Sequence, residues 1–265
     1  MPINDYIFDT DTVFYKHDIS KKPPCNAYSM HTHNTFELIY FVSGDATHVI
    51  EDKKYKLKPG DLILIRPLRY HFIQIDSPAD YERYDILFDA EKHSIEGTDL
   101  ISDDLEVINI AGNTIAEEIF NKIDLYNKKC DSRTFEKLLS HLISELFYNI
   151  HIFPQFSPEE STSLSPTISH ALKYINDNLY TISGIEEIAK HLFVSESYLF
   201  RLFKSELHQT PKKYILHKRL LMAKKLITAG EKPTLVCTKC GFYDYTSFYR
   251  NYVSFFGYPP SNKAL

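Results

Sequence analysis

The sequence is short of the features that would place it outside a reducing compartment. Four cysteines in 265 residues are too few for a disulfide scaffold, so a cytoplasmic location is the expectation. No apolar run approaches the roughly 18 to 20 residues that cross a bilayer, and no membrane partner is expected. The opening stretch "MPINDYIFDTDTVFYKHD" carries acidic residues and lacks an apolar core behind a basic start, so it does not read as a signal peptide. Positive charge is scarce too. The chain has 30 Lys+Arg against 35 Asp+Glu, a net charge of −5, which taken whole argues against a nucleic-acid partner.

The distribution of that charge points the other way. Residues 161–265 hold 14 basic side chains against 7 acidic, whereas residues 1–160 hold 16 against 28. A basic C-terminal piece behind an acidic N-terminal one is the asymmetry of a DNA-binding module joined to a sensing module. Hydrophobic residues make up 43% of the chain, enough to bury a sizeable core, and the length favours two domains.

The stretch "FPQFSPEESTSLSP", ending at Pro166, has three prolines and five serines or threonines and reads as a linker. We place the domains at 1–155 and 167–265, with the linker at 156–166. Before it, residues 36–43, 48–57, 61–66, 71–76 and 83–88 are rich in β-branched and aromatic side chains. The turn signals "SGD", "EDKK" and "KPGD" punctuate them, which predicts short antiparallel strands in a sandwich or barrel. Helices are predicted near 113–129 and 132–150. The second carries Leu138, Leu139, Leu142, Ile143, Leu146, Phe147 and Ile150 as a wide apolar stripe, suited either to packing on its own barrel or to a helix–helix dimer contact. Beyond the linker nearly everything reads helical.

The C-terminal part repeats itself. "YLFRLFKSELHQTP" from Tyr198 and "SFYRNYVSFFGYPP" from Ser247 align at an offset of 49, matching Arg201 with Arg250 and Pro211 with Pro260. Each follows a shorter amphipathic stretch, "GIEEIAKHL" or "PTLVCTKC", so two helix-turn-helix units are predicted, near 185–207 and 233–256. Ala189 and Cys237 are the small residues a close helix crossing needs. Gly241 suits the second turn, while Phe193 stands in the first turn where glycine would be easier. Ser195 and Asp244 are the expected N-caps. Leu199, Leu202, Phe203 and Leu207 form one buried stripe, and Phe248, Tyr252, Phe255 and Phe256 the other. Glu196, Ser197, Phe200, Arg201 and Lys204 point outward in the first unit, as do Tyr245, Thr246, Tyr249 and Arg250 in the second. Cys237 and Cys240 form a C-x-x-C pair, yet no second pair or nearby histidines complete a zinc set, and no strand leads into it. We read them as buried structural residues.

Residues 166–265 resemble the DNA-binding domain of the AraC/XylS family of bacterial transcription regulators, through "IEEIAKHLFVSESYLFRLFKSEL", "HKRLLMAKKLI" with Arg219 and Ala223, and "CGFYDYTSFYRNYVSFFGYPP". The resemblance implies two helix-turn-helix units joined by a long helix near 211–229, with both recognition helices in successive major grooves. It assigns base contacts to Ser197, Phe200 and Arg201, and to Tyr245, Thr246, Tyr249 and Arg250; Lys204 and Lys212 fall at phosphate positions. Val253, Pro233 and Tyr243 depart from the residues usual in the family. The implied partners are promoter or operator double-stranded DNA, a small-molecule effector (a carbohydrate in many similar regulators), a second copy in a homodimer, and RNA polymerase for an activator.

The N-terminal part adds "HTHNTFELIYFVSG", with His31, His33, Glu37 and Gly44 in the pattern H-x-H-x3-E-x6-G. "PGDLILIRPLRYH" supplies Pro59, Gly60, Pro67 and His71. Over roughly residues 25–90 these resemble the two motifs of a cupin barrel, with Cys25 in place of the usual glycine and no later asparagine. The fold class expected is therefore α+β multidomain: a cupin-like β-barrel with two helices, then an all-α domain of two helix-turn-helix motifs. His31, His33, Glu37 and His71 would hold a divalent transition metal, line an effector pocket, or form a hydrogen-bonded core. Two functions compete: a non-enzymatic, ligand-responsive transcription regulator, and a metal-dependent cupin enzyme with a helical oligomerisation tail. Two arginine-bearing motifs 49 residues apart favour the regulator, since an oligomerisation tail has no use for them.

Overall fold

The computed structural model describes residues 6–10, 13–25, 27–103, 105–153 and 161–261. They fall into two compact units, Met1–Thr162 and Ser163–Leu265. Residues 154–160 of the expected linker region lie outside the described residues. Thr162–Ser163 form a two-residue strand, and the first helix of the second unit begins at Pro166.

The first unit runs β1 (Tyr6–Asp9), β2 (Val13–Ser20), β3 (Phe36–Ser43), β4 (Ala46–Ile50), β5 (Lys53–Lys56), β6 (Asp61–Ile65), β7 (His71–Ile75), β8 (Tyr81–Phe88) and β9 (Val107–Asn109). Helices α1 (Thr114–Lys129) and α2 (Ser132–Ile152) follow, and the two-residue β10 (Thr162–Ser163) falls at the boundary between the units. One sheet has the order β1-β2-β8-β3-β6-β9 and the other β10-β5-β4-β7. Two of the sequence-based expectations need correction. The strand expected at 48–57 is a hairpin, β4 and β5, turning at Glu51 with φ 51°. Strands β1, β2 and β9 carry no strong sequence signal and add to the strands predicted.

Side-chain alternation along the strands decides what each face meets. Ile39 and Phe41 of β3, Ile73 and Ile75 of β7, and Tyr81 of β8 turn inward to a core shared by the two sheets. Leu38, Tyr84, Ile86 and Phe88 turn outward to a second core. That second core consumes the apolar stripe of α2: Leu139, Ile143, Leu146 and Phe147 are each about 1% exposed among barrel residues, and Phe135 meets Phe8 edge-on at 4.8 Å. The stripe packs on its own barrel, so the dimer alternative for that face is overturned. Asp124 of α1 ties the helix to the sheet, accepting hydrogen bonds from the hydroxyls of Tyr15 and Tyr84 and pairing with His17 at 2.9 Å.

The second unit is helical: α3 (Pro166–Asp177), α4 (Ile185–His191), α5 (Glu196–Leu207), α6 (Pro211–Thr228), α7 (Pro233–Lys239) and α8 (Tyr245–Phe256). Ser195 caps α5 by accepting from the Tyr198 amide, and Asp244 caps α8 by accepting from Ser247. Ala189 and Cys237 are both buried at the helix crossings. The turn positions 193 and 241 both take positive φ, 55° at Phe193 and 75° at Gly241. At Gly241 glycine is obligatory, because an added Cβ would lie 2.3 Å from the Tyr180 carbonyl oxygen. Leu202, Phe255 and Phe256 are only half-buried, at the edges of the apolar stripes rather than within them.

Arg219, in the middle of α6, holds these pieces together. Its Nε donates to the Leu179 carbonyl at 2.8 Å, Nη2 to Ile182 at 2.7 Å and Nη1 to Gly241 at 2.9 Å. One planar cation thus fixes the segment before α4 and the turn before α8 to the same helix.

Changes at three positions test this arrangement by denaturation of the full chain. Phe193 is 95% exposed, so Phe193→Gly removes left-handed strain at no packing cost and raises stability by up to ~1 kcal/mol. Gly241→Ala collides with the backbone and lowers it. Arg219→Ala leaves three carbonyls short of a donor and costs about 3 kcal/mol, which Arg219→Lys recovers only in part.

Candidate functional site

Two constellations carry chemistry, one in each unit. In the second unit, α5 exposes Ser197, Phe200, Arg201 and Lys204, and α8 exposes Tyr245, Thr246, Tyr249 and Arg250. Lys212 is exposed in the first turn of α6. The buried sides of the same helices are taken up by Leu199, Phe203 and Leu207, and by Phe248 and Tyr252. A groove of about 880 Å³ brings the two helix-turn-helix units together: Phe200 and Lys212 line it from one side, Tyr243, Asp244, Ser247 and Asn251 from the other. Tyr198 and Tyr243, 40% and 90% exposed, also lie beside these faces. Helical spacing does not single them out, because it ranks positions by the buried stripe alone.

Cys237 and Cys240 are buried and unpaired. Burial pushes both thiols upward, Cys240 to about 11. Both side chains pack in the apolar core of the second unit, and among the described residues no further His, Asp or Glu joins them in a metal-holding group, as the structural reading of the pair expects.

In the first unit, His31, His33, Glu37 and His71 offer ligand atoms that all lie within 4.8 Å of one another. The barrel brings them together: Glu37 points inward from β3 and His71 from β7, while His31 forms a lone bridge to His71 and delivers the H-x-H segment. Hydrogen bonding then fixes the tautomers. Each Nδ1 faces a backbone carbonyl, which can only accept: Ser29 for His31 at 2.9 Å, Thr35 for His33 at 2.9 Å, and Arg69 for His71 at 3.0 Å. Each Nδ1 is therefore the donor, and each ring, when neutral, presents an Nε2 lone pair inward. Those lone pairs meet at close range: His71 Nε2 lies 3.0 Å from His31 Nε2 and 2.7 Å from Glu37 Oε2, and His33 Nε2 lies 3.0 Å from that same oxygen. Four acceptors converging need a cation among them, either protons or a metal. Although His31 as a residue is exposed, its ring packs against His33 and His71; that desolvation, with repulsion from His71 whenever it is protonated, lowers it to about 4.

A second inward layer lies outside the two cupin-like motifs. Arg83 Nη2 pairs with Asp85 Oδ2 at 2.9 Å, and its guanidinium lies 4.5 Å from the centre of the Tyr28 ring. Burial and the neighbouring Glu37 carboxylate push the Asp85 carboxyl upward, opposed by Arg83. Among the described residues, His48, wholly buried on β4, has no hydrogen-bond partner on either ring nitrogen, and Arg83 Nε is likewise unpartnered. Buried polar groups left without partners are uncommon in a finished core. The sequence holds one usable signal: "YERYD" places Tyr81, Arg83 and Asp85 on one face of β8, opposite Phe41 and Ile39 of β3.

A sensing barrel followed by paired helix-turn-helix units is the architecture of a ligand-responsive transcription regulator. The AraC-like ligand binding domain family matches residues 19–164, and a helix-turn-helix domain family matches residues 188–263. With more than half of its length matched, the chain belongs to the AraC family of transcriptional regulators. It is 23% identical over 246 residues to the HTH-type transcriptional activator RhaR of Cronobacter sakazakii, covering 87% of this chain and 84% of that one. It is 26% identical over 251 residues to the Msm operon regulatory protein of Streptococcus mutans, covering 86% and 83%. To the lactose operon transcription activator of Staphylococcus xylosus it is 22% identical over 230 residues, covering 80% and 77%. Among the described residues, no helix is long and apolar enough to cross a membrane.

Proposed function

We propose that the protein is a sequence-specific DNA-binding transcription regulator that responds to a small molecule held in its N-terminal barrel. The observation carrying this is the pair of helix-turn-helix units fixed to one helix by Arg219, each with an exposed basic and aromatic face. Ser197, Phe200 and Arg201, with Tyr245, Thr246, Tyr249 and Arg250, are the proposed base-reading residues; Lys204 and Lys212 are the proposed phosphate contacts. A carbohydrate is the proposed effector class, supported by the likeness to a lactose operon activator. A homodimer and a contact with RNA polymerase belong to the same proposal, with the dimer formed through a surface other than the buried stripe of α2. Turnover is not part of it, because the relatives are transcription regulators and not enzymes.

The barrel quartet is proposed to hold a divalent transition metal. Three imidazoles oriented by carbonyls, plus one carboxylate, suit such an ion, and the carbonyls are the outer partners a metal-bound histidine normally has. When bound, the metal would supply a Lewis-acidic position for an oxygen of the effector. Arg83, Asp85 and His48 would then orient the rest of that molecule.

Two measurements follow. Against a duplex selected by the full-length protein, Arg201→Ala and Arg250→Ala each weaken binding by roughly 1–3 kcal/mol and relax base preference at the contacted position. Unchanged affinity and preference in both would mean that α5 and α8 are not the readers. Elemental analysis of the purified protein finds about one divalent transition metal per chain, lost in His33→Ala and His71→Ala; metal-free parent protein would contradict the assignment.

A further inference from the structure

The two recognition faces are chemically unlike each other. Face α5 carries two cations, Arg201 and Lys204. Face α8 has a single cation, Arg250, no acidic residue in its first turn and no basic residue in its last. Its N-terminal half instead presents Tyr245 and Tyr249, one helical turn apart, 39% and 41% exposed. Their ring centres stand 6.4 Å apart, tilted by 45°. Phe248 and Tyr252 are the buried residues of this helix; Tyr245 touches the Phe248 ring with one side, at 5.7 Å between centres, and leaves the rest of its ring exposed. Thr246 lies on the same exposed side and offers one more methyl group.

We infer that α8 reads thymine C5-methyl groups through Tyr245 and Tyr249, at two positions two base steps apart, with Arg250 supplying the one polar base contact. This rests on the DNA-binding reading given above. In the major groove, thymine is the only base that presents a methyl group, and apolar or aromatic side-chain surface is what recognises it. The 6.4 Å between ring centres is close to the axial rise of two base steps, about 3.4 Å each. A face with one cation gains little from phosphates, so its contribution is discrimination, while Arg201, Lys204 and Lys212 on the other side supply charge.

The probe is a duplex enriched from a random-sequence pool by the full-length protein, with each thymine replaced in turn by deoxyuridine, which lacks only the C5-methyl. Two replacements, two base pairs apart in one half-site, each weaken binding about fourfold, the effect of one buried methyl group. Tyr245→Ala is insensitive to one of these replacements and Tyr249→Ala to the other, while Tyr→Phe at either position keeps the parent response. Arg250→Ala binds less tightly but keeps both deoxyuridine effects. A selected half-site without thymines at that spacing overturns the inference, as does deoxyuridine tolerance throughout it in the parent, or an undiminished penalty in the tyrosine variants. Failure to enrich any sequence removes the DNA-binding reading itself, and the inference with it.

Discussion

The second unit depends on one side chain. Arg219 spends three of its donors on backbone carbonyls from two separate segments, Leu179 and Ile182 before α4 and Gly241 before α8. A guanidinium is suited to this because its donors are coplanar and diverge, whereas an ammonium acts from a single point. Apolar packing of α6, α7 and α8 in one buried cluster acts together with these hydrogen bonds. With both turns pinned, α5 and α8 keep one separation. Gly241 reinforces the constraint, since the close approach of Tyr180 tolerates no side chain there.

The barrel follows a different logic. Its strands place apolar side chains between the sheets at one level and polar ones at another, and strand alternation makes both possible in the same strand. On β3, Glu37 and Ile39 are successive inward positions. A polar layer of this kind is costly when unsatisfied. Among the described residues of this protein, His48 and Arg83 have buried atoms without partners near four converging acceptors. These groups are the ground on which an ion and a polar effector are proposed there.

Much of this is legible in the residues themselves, for identifiable reasons. The repeat at an offset of 49 residues exposes the helix-turn-helix pairs, because an amphipathic helix followed by a capped turn leaves a strong local pattern. The N-caps Ser195 and Asp244 and the awkward Phe193 can be named because caps and left-handed turns depend on residues close in sequence. His31, His33, Glu37 and His71 are visible as chemistry-bearing residues at regular spacing. What escapes a reading of the sequence depends on distant partners. Strands β1, β2 and β9 owe their existence to neighbours elsewhere in the sheet. The destination of the α2 stripe stays open, since the same stripe suits a barrel or a second helix. Arg83 and Asp85 are ordinary strand residues until pairing with β3 fixes which face they occupy.

The central claim is that two rigidly spaced helices read DNA together, and the most direct test varies the DNA alone. A duplex selected by the full-length protein would be compared with the same duplex carrying five extra base pairs between the two contacted segments. Half a helical turn rotates one segment to the far side of the duplex, so the account predicts affinity close to that for random DNA. Equal affinity for the two duplexes would contradict it.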